Sequence, residues 1–314
     1  MSILVTGSIA FDHIMVFEDR FRNHILPDKV HMLNVSFLVP SLEKRWGGCA
    51  ANIAYNLRIL DVDPIVLATV GRDFGPYVEW MDRHGIRRDW IRVLEDAFTA
   101  QAFITTDLDD NQISAFHPGA MERAHEAPIS GVEADLSVGI VAPNGKRAMQ
   151  EHARALKERG VPCVIDPGQG LPMFDGDELL EMIDGSALYV ANDYEWAMTL
   201  EKTGLDDNAI ASRVDAVIVT RGEHGSWLLE ENGEKRTSVP SVAPERVVDP
   251  TGCGDAYRAG ILYALDRGLS LETGARVGAL LGALKVAESG PQSISMDPAT
   301  FRERYQREFG EPLG

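Results

Sequence analysis

Cysteine is scarce in this chain: Cys49, Cys163 and Cys253 are its only three, at unrelated spacings. That number and spacing exclude a disulfide framework and offer no zinc-ligand pattern. No apolar run approaches the roughly 18–20 residues that cross a bilayer. The stretch Met1–Gly7 has no basic n-region, so it does not read as a secretory leader, and a cytoplasmic location is expected. Basic charge is also in short supply. Against 48 Asp and Glu stand 30 Lys and Arg, a net charge of −18. Such a balance argues against nucleic acid or an anionic membrane surface as a partner.

The common devices for phosphate and cofactors are missing too. The nearest approach to a Walker P-loop, Gly139 to Gly145-Lys146-Arg147, has one residue too many between its glycines. It also lacks the Ser or Thr that would hold magnesium. No Gly-x-Gly-x-x-Gly follows the first strand, there is no His-Glu-x-x-His, and the eight histidines do not cluster. A chain that handles phosphate must do it in another way.

What is present is an alternation of short β-rich runs and helical patterns. Residues 3–5, 64–70, 138–142, 161–165, 188–191 and 216–220 are apolar throughout, bounded by turn formers, and read as buried strands. Helices are expected near 49–60, 75–84, 144–159, 176–184, 193–203, 254–267, 271–288 and 297–307. This order predicts an α/β fold: a three-layer, mostly parallel sheet flanked by helices. A hairpin is expected from Trp227–Glu230, turning at Asn232-Gly233.

Two segments break the rhythm. Residues 11–45 hold Phe17, Phe21, Phe37, Leu38 and Val39 without a convincing helix, and 98–120 read as a strand pair turning through Asp107–Asp110. Together they are expected to form a small β-sheet lid over the strand ends. Residues 1–10, 46–97 and 121–314 would then form the large α/β domain.

The most informative run is Asp249-Pro-Thr-Gly252-Cys253-Gly254-Asp255, which opens directly into a helix. Backbone amides of Gly252, Cys253 and Gly254 can converge on an anion where the helix N-terminus adds about half a positive charge. Asp255 puts a carboxylate at the mouth of the same site. It is either a helix cap or a base that takes the proton of a hydroxyl attacking phosphate. Four further constellations carry similar pairs of readings. Gly48 to Asn52 opens a helix and could hold a sugar hydroxyl or form a packing turn. Asn192 and Glu195 suit water-mediated Mg²⁺ ligation or a capping box. Thr220-Arg-Gly222-Glu-His-Gly225 could line a nucleotide site. Asp12, at the end of the first strand segment, could accept from vicinal ribose hydroxyls or be a solvated loop acid.

In this order and spacing the motifs resemble the ribokinase-like (PfkB) carbohydrate and nucleoside kinases across nearly the whole chain. The segments Ser36-Phe-Leu-Val39, Phe116-His-Pro-Gly-Ala-Met121, Asn192-Asp-Tyr-Glu-Trp196 and Asp249 to Gly260 further resemble the bacterial adenosine kinases of that family. The resemblance implies an ATP-dependent adenosine kinase of purine salvage, with a furanose kinase or a non-catalytic nucleoside sensor as alternatives. It implies Asp255 as base on the ribose 5′-hydroxyl, with the Gly252, Cys253 and Gly254 amides as the anion hole. Ser8, Asp12, Ser36, Gly48, Asn52 and Gln169 would contact substrate, and Phe116, with Phe37 or Phe103, would close on the nucleobase. Asn192, Thr220, Gly222 and Gly225 would line the ATP site, and Asn192 and Glu195 would organise Mg²⁺ through water. A monovalent cation such as K⁺ is implied near Asp249, and a homodimer through the lid is expected. Cys253 stands where the family usually has Ala. Its place at a helix N-terminus predicts a lowered thiol pKa.

Overall fold

The computed structural model describes residues 1–25, 34–109 and 111–313. The part of the expected lid at 26–33, and Asp110 of its acidic turn, lie outside the described residues. A nine-stranded sheet runs in the order β13-β12-β11-β10-β9-β8-β1-β4-β5. From one edge inward these are Lys235–Val239, Ser226–Glu230, Ala216–Thr220, Leu188–Asn192, Cys163–Ile165, Leu136–Val141, Ser2–Thr6, Ile65–Gly71 and Ile91–Leu94. All neighbours from β11 to β5 pair in parallel, and β12 and β13 close one edge as an antiparallel hairpin. The runs expected as strands are strands. Their apolar character on both faces follows from burial on both sides: β4 is buried at every position.

Helices cover both faces and divide the core into two clusters. One holds Ile3, Val5, Val66, Ile140 and Tyr257, and the other holds Leu4, Leu67, Ile165, Tyr189 and Val217. Alternation along β1 and β4 sends neighbouring side chains to opposite layers. In chain order the helices are α1 Cys49–Ile59, α2 Gly75–Arg83, α3 Lys146–Glu158, α4 Gly176–Ile183, α5 Asp193–Thr203, α6 Asp207–Ala211, α7 Cys253–Asp266, α8 Leu271–Val286 and α9 Pro298–Phe309, and those that matter for the site are α1, α5, α7 and α8. These four lie within about two residues of where their patterns place them. Asn192 and Glu195 cap α5 reciprocally, and the Ser270 side chain caps α8. Among the described residues no helix is long and apolar enough to cross a membrane.

A second sheet of four strands has the order β3-β2-β6-β7, from Ser41–Gly47, Ala10–Val16, Ala100–Thr106 and Gln112–His117. Its two outer pairs are antiparallel and its central pair, β2 with β6, is parallel. The register places Asp12, Arg45, Ala102 and Phe116 side by side on one face. His13, Lys44, Phe103 and Ala115 lie on the other. Phe103 therefore faces away from Asp12 and stacks on His13 at 4.7 Å. Phe37 packs instead against Phe17 and Phe21, at 4.8 and 4.9 Å. Of the three aromatic residues expected to close on a nucleobase, only Phe116 shares the face of Asp12.

Candidate active site

Two helix N-termini meet over the carboxyl ends of the parallel strands, where open α/β sheets bind ligands. The first belongs to α1, whose cap is Gly48 at φ 93°. A Cβ there would come within 2.6 Å of Ala10 N and Ser8 O, so only glycine allows this approach to the strand end. Ser8 is already engaged: its Oγ accepts from Cys49 N at 3.0 Å and its carbonyl from Ala50 N at 3.0 Å. It holds the start of α1. The second N-terminus belongs to α7, capped by Gly252 in the left-handed region at φ 83°. Here a Cβ would stand 2.6 Å from Pro291 Cβ.

The amides at this turn divide into two groups. Cys253 N donates to Pro250 O at 3.1 Å and so closes the turn. Gly252, Gly254 and Asp255 amides have no acceptor among the described residues, as expected for a first helical turn. Of the three amides expected to form an anion hole, those of Gly252 and Gly254 are thus without an acceptor among the described residues, as is that of Asp255, while that of Cys253 is occupied.

Asp255 is half-buried and accepts from Asn52 Nδ2 at 2.8 Å. Burial pushes its carboxyl up to about 6. The Asn52 bond and Arg258 oppose this, and Asp166 reinforces it. Asn52 cannot turn around, because its Oδ1 accepts from Gln292 Nε2 at 2.9 Å. Gln292 in turn donates to the Tyr77 hydroxyl at 2.7 Å and accepts from Trp80 Nε1 at 2.7 Å. This buried chain presents the Asn52 amide to Asp255 as a donor.

Behind Asp255, Arg258 forms a two-pronged ion pair with Asp166, at 3.0 and 2.9 Å, and both are buried. Burial works against the Arg258 cation, but Asp166 overrides it and keeps the guanidinium charged. Glu195 lies 4.0 Å from the same guanidinium, and burial raises its pKa while Arg258 opposes the rise. The capping box uses Asn192 Oδ1 and Glu195 Oε2, each accepting at 2.8 Å. Glu195 Oε1 remains as a hard oxygen donor with only a shared counter-charge, which fits Mg²⁺ held through water and phosphate.

On the far side of the Gly252–Gly254 turn is a cavity of about 660 Å³, lined by Thr220, Gly222, Gly225, Cys253, Gly254 and Tyr257 among others. Thr220, at the end of β11, and Gly222 and Gly225 beyond it thus share one cavity with Cys253 and Gly254 of the turn. Asn192 pairs directly with Thr220 at the ends of β10 and β11.

On the opposite side Asp12 faces the site from β2. Burial raises its carboxyl to about 6, Arg45 lowers it, and Asp249 raises it. Arg45 bonds Asp249 Oδ2 at 3.0 Å. Asp249 Oδ2 also accepts from Gly290 N at 2.9 Å, and its Oδ1 from Thr251 N at 2.9 Å. Gln169 and Ser36 are exposed, and no described contact joins either to this cluster. Cys253 departs from expectation. Burial raises its thiol pKa, and the nearby Lys285 ammonium only partly offsets this.

Arg258, Gln292, Arg45 and Lys285 were not read as site residues. Only Arg258 left a local signal, since it follows Asp255 by three residues and shares its helix face.

A half-buried carboxylate at a helix N-terminus with unpaired amides, beside a mainly apolar cavity, is an arrangement that suits phosphoryl transfer. The comparisons specify it further. Residues 3–298 match the family described as pfkB family carbohydrate kinase. The chain is 32% identical over 265 residues to a nucleoside kinase of Methanocaldococcus jannaschii, covering 83% of this chain and 85% of that protein. It superimposes on Burkholderia thailandensis nucleoside kinase in complex with inosine with a TM-score of 0.89 and 45% identity over 100% of both chains. With the solved M. jannaschii nucleoside kinase the TM-score is 0.87 at 30% identity, covering 98% of this chain and 99% of that one. The chain belongs to the pfkB family of carbohydrate kinases.

Activity should follow the charge state of the two raised carboxyls. A base must be deprotonated, so kcat/KM rises with pH through about 6 and falls below it. Asn52→Leu removes the donor that favours the charged form of Asp255, so the acid limb of its pH–rate profile moves to higher pH. An unmoved limb would mean that Asn52 does not tune the base.

Proposed function

We propose that this enzyme transfers the γ-phosphoryl group of ATP to the ribose 5′-hydroxyl of a purine nucleoside, with adenosine as the acceptor expected first. The observation that carries the reading is Asp255. It is a half-buried carboxylate with a raised pKa, oriented by Asn52, at the mouth of the free Gly252, Gly254 and Asp255 amides. The 5′-hydroxyl proton passes to an Asp255 oxygen as the hydroxyl oxygen bonds to phosphorus, and the bond from phosphorus to the ADP oxygen breaks. The amides meet the charge that spreads over the phosphoryl oxygens. Bound Mg²⁺ would neutralise phosphate charge beside Asn192 and Glu195.

Asp12 and Asn52 flank the place where a ribose would lie. Phe116, 54% exposed and on the face of Asp12, is free to stack on a base. Base–aromatic stacking is worth about 1–3 kcal/mol. The four-stranded sheet acts as a lid that excludes water from the reaction. Inosine is the second reading, because the 45%-identical Burkholderia kinase was solved in complex with it.

The test is ADP release with Mg-ATP against adenosine, inosine, guanosine, ribose and fructose. A kcat/KM for a purine nucleoside well above those for the free sugars supports the reading. Phe116→Ala should raise KM for the nucleoside and leave the sugars unchanged. Turnover only with a free sugar would overturn it.

A further inference from the structure

Lys285 stands in the last turn of α8 and is 0% exposed. Among the described residues no carboxylate is in direct contact with its ammonium. Instead Nζ donates to two main-chain carbonyls, Asp249 O and Glu288 O, each at 2.9 Å. Burying a charge is costly unless polar atoms surround it, and here those atoms come from two separate loops.

The first loop begins at Asp249 and runs to the Gly252–Gly254 turn. The second follows α8 through Glu288 to Gly290 and Pro291. The loops are joined elsewhere as well: Val248 and Asp249 amides both donate to Val286 O, at 2.8 and 3.1 Å, and Gly290 N donates to Asp249 Oδ2. Pro291 lies under Gly252, where no Cβ would fit. Carbonyl oxygens converging from two loops, with the Asp249 carboxylate beside them, are the donor set of a hard monovalent cation. In this molecule an ammonium already fills it, and so the site does not fit an added K⁺.

We propose that the Lys285 ammonium is a covalently tethered substitute for a monovalent cation, holding the anion-hole loop in place so that the enzyme needs no K⁺. Ammonium and K⁺ are of similar size, and both take carbonyl oxygens as ligands. The tether makes occupancy independent of salt. The charge sits behind the turn that receives the phosphoryl group, with Arg45, Asp249, Cys253 and Glu288 as its charged or titratable neighbours. It acts by positioning the turn. The activity arm of the test rests on the kinase reading above, and the stability arm does not.

The experiment compares wild type, Lys285→Ala and Lys285→Met in KCl, NH₄Cl and choline chloride at constant ionic strength. It reads melting temperature without substrate and kcat with Mg-ATP and nucleoside. Wild type should show the same melting temperature and kcat in all three salts. Lys285→Ala leaves space for an ion. In choline it should melt lower and lose about tenfold or more in kcat, since misplaced donors cost that much. KCl or NH₄Cl should restore both. Lys285→Met removes the charge but fills the space, so neither salt should restore it. Activation or stabilisation of wild type by K⁺ would overturn the proposal. So would a Lys285→Ala deficit that no monovalent cation relieves, which is what a purely structural lysine gives. Should neither variant fold, the wild-type salt response still decides. If the protein is no kinase, the melting readout remains and the two failures are told apart.

Discussion

Asp255→Asn should lower kcat by about 10²–10⁴-fold, the usual contribution of a positioned general base, with little change in KM for the nucleoside. The substitution keeps shape and volume, so the Gly252 turn and α7 are left in place. In the proposed reaction Asn could not accept the hydroxyl proton as the bond to phosphorus forms, and transfer would rest on the amides of Gly252, Gly254 and Asp255. The loss is therefore in the chemical step and appears in kcat and kcat/KM together. The part of the acid limb that belongs to Asp255 should vanish, leaving only the titration of Asp12 near 6. Stopped-flow or steady-state ADP release from pH 5 to about 8 reads both effects, since the window brackets the raised pKa values. A variant with near wild-type kcat would show that Asp255 only caps its helix.

The second large effect is on stability. Arg258→Met removes the partner of Asp166 inside the protein and leaves a buried carboxylate with no counter-charge. Breaking such a pair from one side costs about 3–5 kcal/mol, a large share of the net stability of a typical domain. It also removes the cation that opposes the raised pKa of Asp255 and of Glu195. Any folded variant should thus show its acid limb at higher pH than wild type. The double variant Arg258→Met with Asp166→Leu takes away both charges, and most of the stability should return. Denaturant midpoints measure the cycle. A single variant as stable as wild type would mean that water enters the pair freely.

These two residues also show how far the sequence could be read. Asp255 was legible because everything that defines it is local: a Gly-Cys-Gly turn, then a carboxylate, then a helix. Arg258 lies on the same helix, but its role depends on Asp166, 92 residues away, and no local pattern carries that. Gln292 and Asn52 are 240 residues apart, and Lys285 reaches Asp249 across 36. The core strands were read as apolar runs because they are buried on both faces. Strand β5 has only four residues, two of them exposed, and left no run to find. Strands β2 and β3 fall in the segment expected to join a small sheet, but β3, Ser41-Leu-Glu-Lys-Arg-Trp-Gly47, is charged and largely exposed, so no apolar run marks where it begins or ends.

The aromatic residues teach a related point. Phe103 and Phe116 sit on neighbouring strands, yet they face opposite ways, because side chains alternate and the register decides which face each takes. Sequence alone gives the residues and not the register. Cys253 fails for a different reason. A position at a helix N-terminus can be read from sequence, but the burial that raises the pKa of this thiol cannot.

The most direct test of the account is the position of the new phosphate. ³¹P and ¹³C NMR of the product formed from Mg-ATP and adenosine or inosine should show a single 5′-monophosphate ester together with ADP. The 5′-deoxynucleoside should give neither ester nor ADP. Phosphate on another hydroxyl, or inorganic phosphate with no nucleotide product, would contradict the placement of the ribose 5′-oxygen at Asp255.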